Sequence, residues 1–101
     1  MEWSDKVKMS ELSREKDCNE DFKQHVLTHI NDFDSQAWSI FCECVSLVPQ
    51  EMERNVEFWK KIHKAIGESR DKISKADMRT MLRISLIESI CEDDLNMKSN
   101  E

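Results

Sequence analysis

The chain has 101 residues, enough for one domain with a single modest core, and its formal net charge is −6 at pH 7. Charged residues make up 36% of the sequence and hydrophobic residues 39%, with one glycine, one proline and no tyrosine. Such a composition offers few hairpin turns and favours helices with one buried stripe. The sequence has no run of about 18 apolar residues, which excludes a membrane-spanning helix.

The sequence predicts an all-α fold, a compact bundle of four or five short helices without a sheet. We expect a mobile arm or docking helix over residues 1–17, a helical domain over residues 18–95 and a disordered tail over residues 96–101. In the arm, Trp3, Val7 and Leu12 could lie along one side of a helix. Trp3 is then either an anchor for a partner or a side chain that folds back onto the core.

The first firm helix is predicted from about Asn19 to Asn31, with Asn19 as its cap. The second is predicted from about Gln36 to Val48, capped by Asp34 or Ser35, and it is apolar on almost every side. A helix of that kind must be buried almost all round. It is therefore either the central helix of the bundle or part of an interface.

The third helix is predicted over Pro49 to Gly67, between the only proline and the only glycine of the chain. Its apolar face consists of Met52, Val56, Trp59, Ile62 and Ile66. His63 lies near the middle of that face, and we interpret it as a core histidine with one hydrogen-bond partner. The alternative is a pH-sensitive contact at an interface.

The fourth helix is predicted to open at Ser74, where Asp77 three residues later resembles a capping box. It carries two apolar stripes on opposite sides. One stripe is Met78, Leu82, Leu86 and Ile90, and the other is Ile84, Ile87, Cys91 and Leu95. Two stripes on one helix require two sets of packing partners.

More apolar helix surface than one short bundle can hide indicates protein–protein interaction. We predict an intracellular, non-enzymatic adaptor, scaffold or regulatory module that self-associates as a homodimer or binds another protein. Core or interface positions are expected at Trp38, Phe41, Trp59, Leu82, Leu86 and Ile90. Partner contacts are expected at Trp3, Phe58, Ile84, Ile87 and Cys91. Ile87→Asp is expected to disrupt assembly while leaving helicity largely intact.

The alternative is a nucleic-acid-binding helical domain that uses the basic region 60–83. Residues 54–83 carry nine Lys and Arg against four Asp and Glu, and the candidate surface comprises Lys60, Lys64, Arg79 and Arg83. A helix-turn-helix is conceivable there. The negative net charge and the two apolar sides of the last helix argue against it.

The candidate chemical groups lead to no metal, cofactor or catalytic prediction. His25 and His29 have the i,i+4 spacing that can hold zinc, but Cys18 lies about 10 Å away along a helix and a fourth ligand is missing. Cys42 and Cys44 diverge around a helix, so we interpret them as small buried hydrophobes.

The sequence has no phosphate loop or nucleophile motif, so an enzyme is not predicted. The N-terminal residues lack the apolar core of a signal peptide, which favours reduced cysteines.

The five residues from Asn55 to Trp59 resemble the Asn-hydrophobic-x-Phe-Trp phrase of RGS domains, which bind G-protein α subunits. The resemblance covers only those residues, and Arg54 stands where that family commonly has Glu. The chain is also short for the nine-helix RGS fold. The resemblance therefore assigns neither a family nor a site.

Overall fold

A computed structural model describes residues 2–15, 19–45 and 54–95 of the chain. Within these ranges lie six α-helices and one 3-10 turn: α1 (Trp3–Arg14), α2 (Asn19–His29), the 3-10 turn (Ile30–Asp32), α3 (Ser35–Cys44), α4 (Val56–Glu68), α5 (Arg70–Ile73) and α6 (Met78–Asp94). The same ranges contain no strand, so the predicted all-α fold is confirmed. The predicted helix start at Pro49, the tail from residue 96 and Cys18 lie outside the described residues.

Helix α3 is the central helix of the bundle. It packs against α1, α5 and α6, so its neighbours come from both ends of the chain. Ala37, Trp38, Phe41 and Cys42 are buried, and Ile40 packs against the core from its edge. This arrangement decides between the two expectations for the most hydrophobic segment, because its apolar sides are covered by the chain's own helices.

Aromatic side chains join α3 to α4 in the centre of the core. Trp38 meets the ring of Phe33 at 5.0 Å and that of Phe41 at 5.8 Å, both edge to face. Phe41 in turn lies 6.3 Å from Trp59 on α4. Edge-to-face contacts add to the large apolar area that such rings bury. The indole Nε1 of Trp38 has no hydrogen-bond partner within the described ranges.

Helix α1 docks through a different face from the predicted one. Met9 is fully buried and Lys6 is 6% exposed, whereas Trp3 and Val7 are exposed. The ammonium of Lys6 donates to Asp34 Oδ2 at 3.0 Å and to the Gln36 side chain at 2.9 Å. These two acceptors at the start of α3 compensate the cost of burying a charge. The expectation that Trp3 folds back onto the core is therefore corrected.

Several helix ends differ from the sequence prediction. Helix α3 ends at Cys44, since Val45 is extended, whereas the predicted helix continued to Val48. Helix α4 begins at Val56, after the non-helical Asn55, within the range predicted as one helix from Pro49.

Helix α4 continues through Gly67 to Glu68, so the glycine lies inside the last turn instead of just beyond it. Helix α6 begins at Met78, where the side chain of Asp77 accepts the Thr80 N–H at 2.8 Å. Ser74 belongs to the turn that follows α5, and its hydroxyl donates to the Asp71 carbonyl.

Of the two residues predicted as the N-cap of α3, Asp34 is the one that caps it. Its carboxylate accepts the Ala37 N–H at 2.9 Å, and Ser35 is the first helical residue. No helix among the described residues is long and apolar enough to cross a bilayer.

Candidate interaction surface

The two apolar stripes of α6 have opposite environments. Ile84, Ile87 and Cys91 are buried, at 2%, 0% and 0% exposed. Met78, Leu82 and Leu86 are 69%, 65% and 50% exposed, and Ile90 at the end of the same stripe is half-buried. We call Met78, Leu82, Leu86 and Ile90 the α6 stripe. Leu82 and Leu86, expected in a core or an interface, are therefore outside the core of the single chain.

Charges of opposite sign lie at the two ends of the α6 stripe. Lys75 and Arg79 are exposed at its N-terminal end. Asp93 is exposed at its C-terminal end, while the neighbouring Glu92 faces His63 on α4. The surface is therefore an apolar row between a basic end and an acidic end.

Four of the five predicted contact residues belong to the chain's own core. Phe58 is 8% exposed, and Ile84, Ile87 and Cys91 are buried more deeply. Phe58 packs edge to face on Trp59 at 5.3 Å, within the aromatic cluster. Trp3 alone among the five is exposed, at 62%. The assignment of contacts to the inner stripe of α6 is corrected accordingly.

The predicted basic surface is divided between two helices. Lys60 and Lys64 are exposed on α4, and Arg79 is exposed on α6. Arg83 is half-buried, and its guanidinium donates to the Cys42 carbonyl at 2.8 Å, where it holds α6 against α3. Arg83 therefore has a structural partner, and the nucleic-acid alternative stays a prediction.

The histidines of α2 acquire a third neighbour that sequence reasoning missed. The rings of His25 and His29 lie 4.7 Å apart, and Asp5 on α1 approaches both. No spacing rule connects Asp5 to α2, because the contact depends on how α1 packs. His63, which we interpreted as a core histidine, is partly exposed at the edge of the core, and its ring lies 3.4 Å from the Glu92 carboxylate on α6.

The described cysteines, Cys42, Cys44 and Cys91, are thiols in buried or half-buried positions. Burial raises the pKa of Cys42 to about 12, although the charge of Arg83 acts in the opposite direction. Burial also raises the pKa of Cys44, which is half-buried, and Cys91 is fully buried. A raised pKa keeps a thiol in its unreactive neutral form. Cys42 therefore behaves as the small buried hydrophobe that the sequence predicts.

Comparison with protein-family models, with curated proteins and with solved structures finds no significant match for this chain.

Proposed function

We propose that this protein is a non-enzymatic interaction module that self-associates through the α6 stripe. The observation that supports it is the exposure of Met78, Leu82 and Leu86 along one side of a helix whose other side is buried. Single exposed hydrophobic residues are common, but a row of large ones on one helix indicates a contact surface. The thiols of Cys42 and Cys44, which form no disulfide within the described residues, support an intracellular setting.

The pattern of the stripe favours a second copy of the chain as the occupant. Met78 and Ile90 are equally far from residue 84, and so are Leu82 and Leu86. An antiparallel pair of α6 helices centred there places Met78 beside Ile90 of the second copy, and Leu82 beside its Leu86. A two-fold symmetric interface requires this kind of self-complementary surface.

The charges at the ends of α6 favour the antiparallel orientation. In that orientation the basic end with Lys75 and Arg79 faces the acidic end with Asp93 of the second copy. The helix dipoles are opposed as well, which is the favourable arrangement. A parallel pair would bring like charges together at both ends. The stripe is narrow, so we expect a reversible dimer at the small end of interface sizes.

The test is solution mass by light scattering over a range of concentrations. We expect the mass to approach twice the 12.0 kDa of the chain and to fall on dilution. Leu82→Asp should hold the protein at the monomer mass with unchanged helicity. Trp3→Asp is the matched control, because Trp3 is 62% exposed and Leu82 is 65% exposed. A monomer at all concentrations, or dissociation caused by Trp3→Asp instead, would overturn the proposal.

The orientation is tested by cross-linking. In the antiparallel dimer two copies of residue 78 lie about 18 Å apart along the helix axis, since they are twelve residues out of register at about 1.5 Å per residue. A short thiol cross-linker should therefore join Met78→Cys chains to Ile90→Cys chains in a mixture, as identified by peptide mass spectrometry. Links between two copies of residue 78 would indicate a parallel pair.

A further inference from the structure

We propose that Asp5, His25 and His29 form a binding site for a divalent transition-metal ion, with Zn²⁺ as the best match. One ring nitrogen of each histidine and one carboxylate oxygen of Asp5 lie within 4.8 Å of one another. The two histidines are four residues apart on α2, and Asp5 comes from α1. The site thus joins two helices and is independent of the α6 stripe.

The contacts within the site hold α1 over the histidine pair. His25 Nε2 lies 2.9 Å from the backbone carbonyl of Asp5, and His29 Nε2 lies 3.8 Å from the Asp5 Oδ1. Because a carbonyl oxygen only accepts, the neutral ring of His25 donates there through Nε2 and keeps the lone pair on Nδ1. A metal-bound histidine commonly donates its other ring N–H to a carbonyl or a carboxylate. Binding through Nδ1 would keep this hydrogen bond.

Only small movements would bring the three ligand atoms to coordination distance from one ion. Tetrahedral zinc with bonds of about 2.0–2.2 Å holds its ligand atoms about 3.4 Å apart. The three ligand atoms lie within 4.8 Å of one another, so each pair has to approach by at most about 1.4 Å. The side chains of His29 and Asp5 are 24% and 30% exposed, so they are reachable from solvent and are not locked in the core.

The donor set determines the class of metal. Two imidazole nitrogens and one carboxylate oxygen are zinc ligands, and three protein ligands leave a fourth position for water. Magnesium and calcium prefer oxygen ligands alone. An open cavity beside the site is lined by Glu2, Asp5, His29 and Asp32, so three carboxylates surround the approach to His29. This local negative charge favours a cation.

A second cluster on the molecule lacks these properties. His63, Glu88 and Glu92 also bring three ligand atoms within 4.8 Å, but only one of them is an imidazole nitrogen. Glu88 is already paired with the guanidinium of Arg70. His63 is therefore a suitable control for the proposed site.

The test is titration of the chelator-treated protein with ZnCl₂ by calorimetry, together with thermal unfolding. We expect one ion per chain and an upward shift of the unfolding midpoint, since an ion bound to the folded state stabilises it. His29→Gln and Asp5→Asn should each weaken binding at least tenfold and abolish the zinc-dependent shift. His63→Gln and Leu82→Asp should leave both unchanged, which separates this site from the dimer surface.

Co²⁺ identifies the ligand atoms. The proposed site should give visible cobalt absorption without the near-ultraviolet band of thiolate-bound cobalt, and His29→Gln should remove that absorption. Absence of saturable zinc binding would overturn the proposal. A thiolate band, or binding that His29→Gln does not weaken, would do the same by placing the ion elsewhere.

Discussion

Lys6 is a lysine that is almost completely buried, and its environment explains why α1 stays attached. Its ammonium reaches two acceptors at the start of α3, Asp34 and Gln36. Asp34 also caps α3 through the Ala37 N–H. One carboxylate therefore caps the start of α3 and pairs with Lys6 of α1, so its loss should cost more than the loss of an ordinary cap.

Asp34→Ala should lower the free energy of unfolding by about 2–3 kcal/mol, because it removes a cap and leaves the buried Lys6 with one acceptor fewer. Asp77→Ala is the matched control, since Asp77 caps α6 and no ion pair of its carboxylate is present in the described structure. It should cost less than Asp34→Ala, because it removes a cap alone. Urea unfolding measures both variants. Equal losses would mean that the contact between Asp34 and Lys6 contributes nothing.

The same carboxylate makes stability depend on pH. Burial opposes ionisation of Asp34, but the Ala37 N–H and the ammonium of Lys6 together lower its pKa below 3.8. A lowered folded-state pKa adds stability above the unfolded value, and that stability is lost as the pH falls through the folded value. The difference between the wild type and Asp34→Asn should therefore shrink as the pH falls below about 4. A constant difference would contradict this assignment.

Gly67 is the clearest weak point at the scale of a helix. It lies inside the last turns of α4, and a Cβ added there would meet nothing within 4 Å. Glycine in a helix is about 0.5–1 kcal/mol less favourable than alanine, because it loses more backbone freedom on folding. Gly67→Ala should therefore raise the free energy of unfolding by about that amount in urea. A decrease would show that the last turn of α4 needs the freedom of glycine.

Helices α1 and α6 show why amphipathic pattern alone misplaces a surface. In α1 the apolar Trp3 and Val7 face solvent, while Met9 and the charged Lys6 face the core. In α6 two stripes have similar hydrophobicity, and only the positions of α3 and α4 decide which of them is covered. Local periodicity detects a stripe but contains no information about the neighbouring helix.

At the scale of the whole molecule, the two stripes of α6 should respond differently to charge. Ile87 is 0% exposed, so Ile87→Asp should unfold the protein, at a cost of about 4 kcal/mol or more for a charge placed in the core. This replaces the expectation that the variant keeps its helicity. Leu82→Asp on the same helix should keep the helical circular dichroism spectrum. Retained helicity in Ile87→Asp would contradict the burial of Ile87.

The sequence by itself determined the helical class and the approximate positions of α2, α3 and α4, and it marked Trp38 and Phe41 as core or interface positions. These depend on composition, periodicity and local caps, which act over a few neighbouring residues. Only the tertiary structure decided that α3 is central, that Leu82 is exposed and Ile87 is buried, and that Asp5 reaches the histidines of α2. Those properties depend on contacts between residues far apart in the chain, and the packing of whole helices determines them.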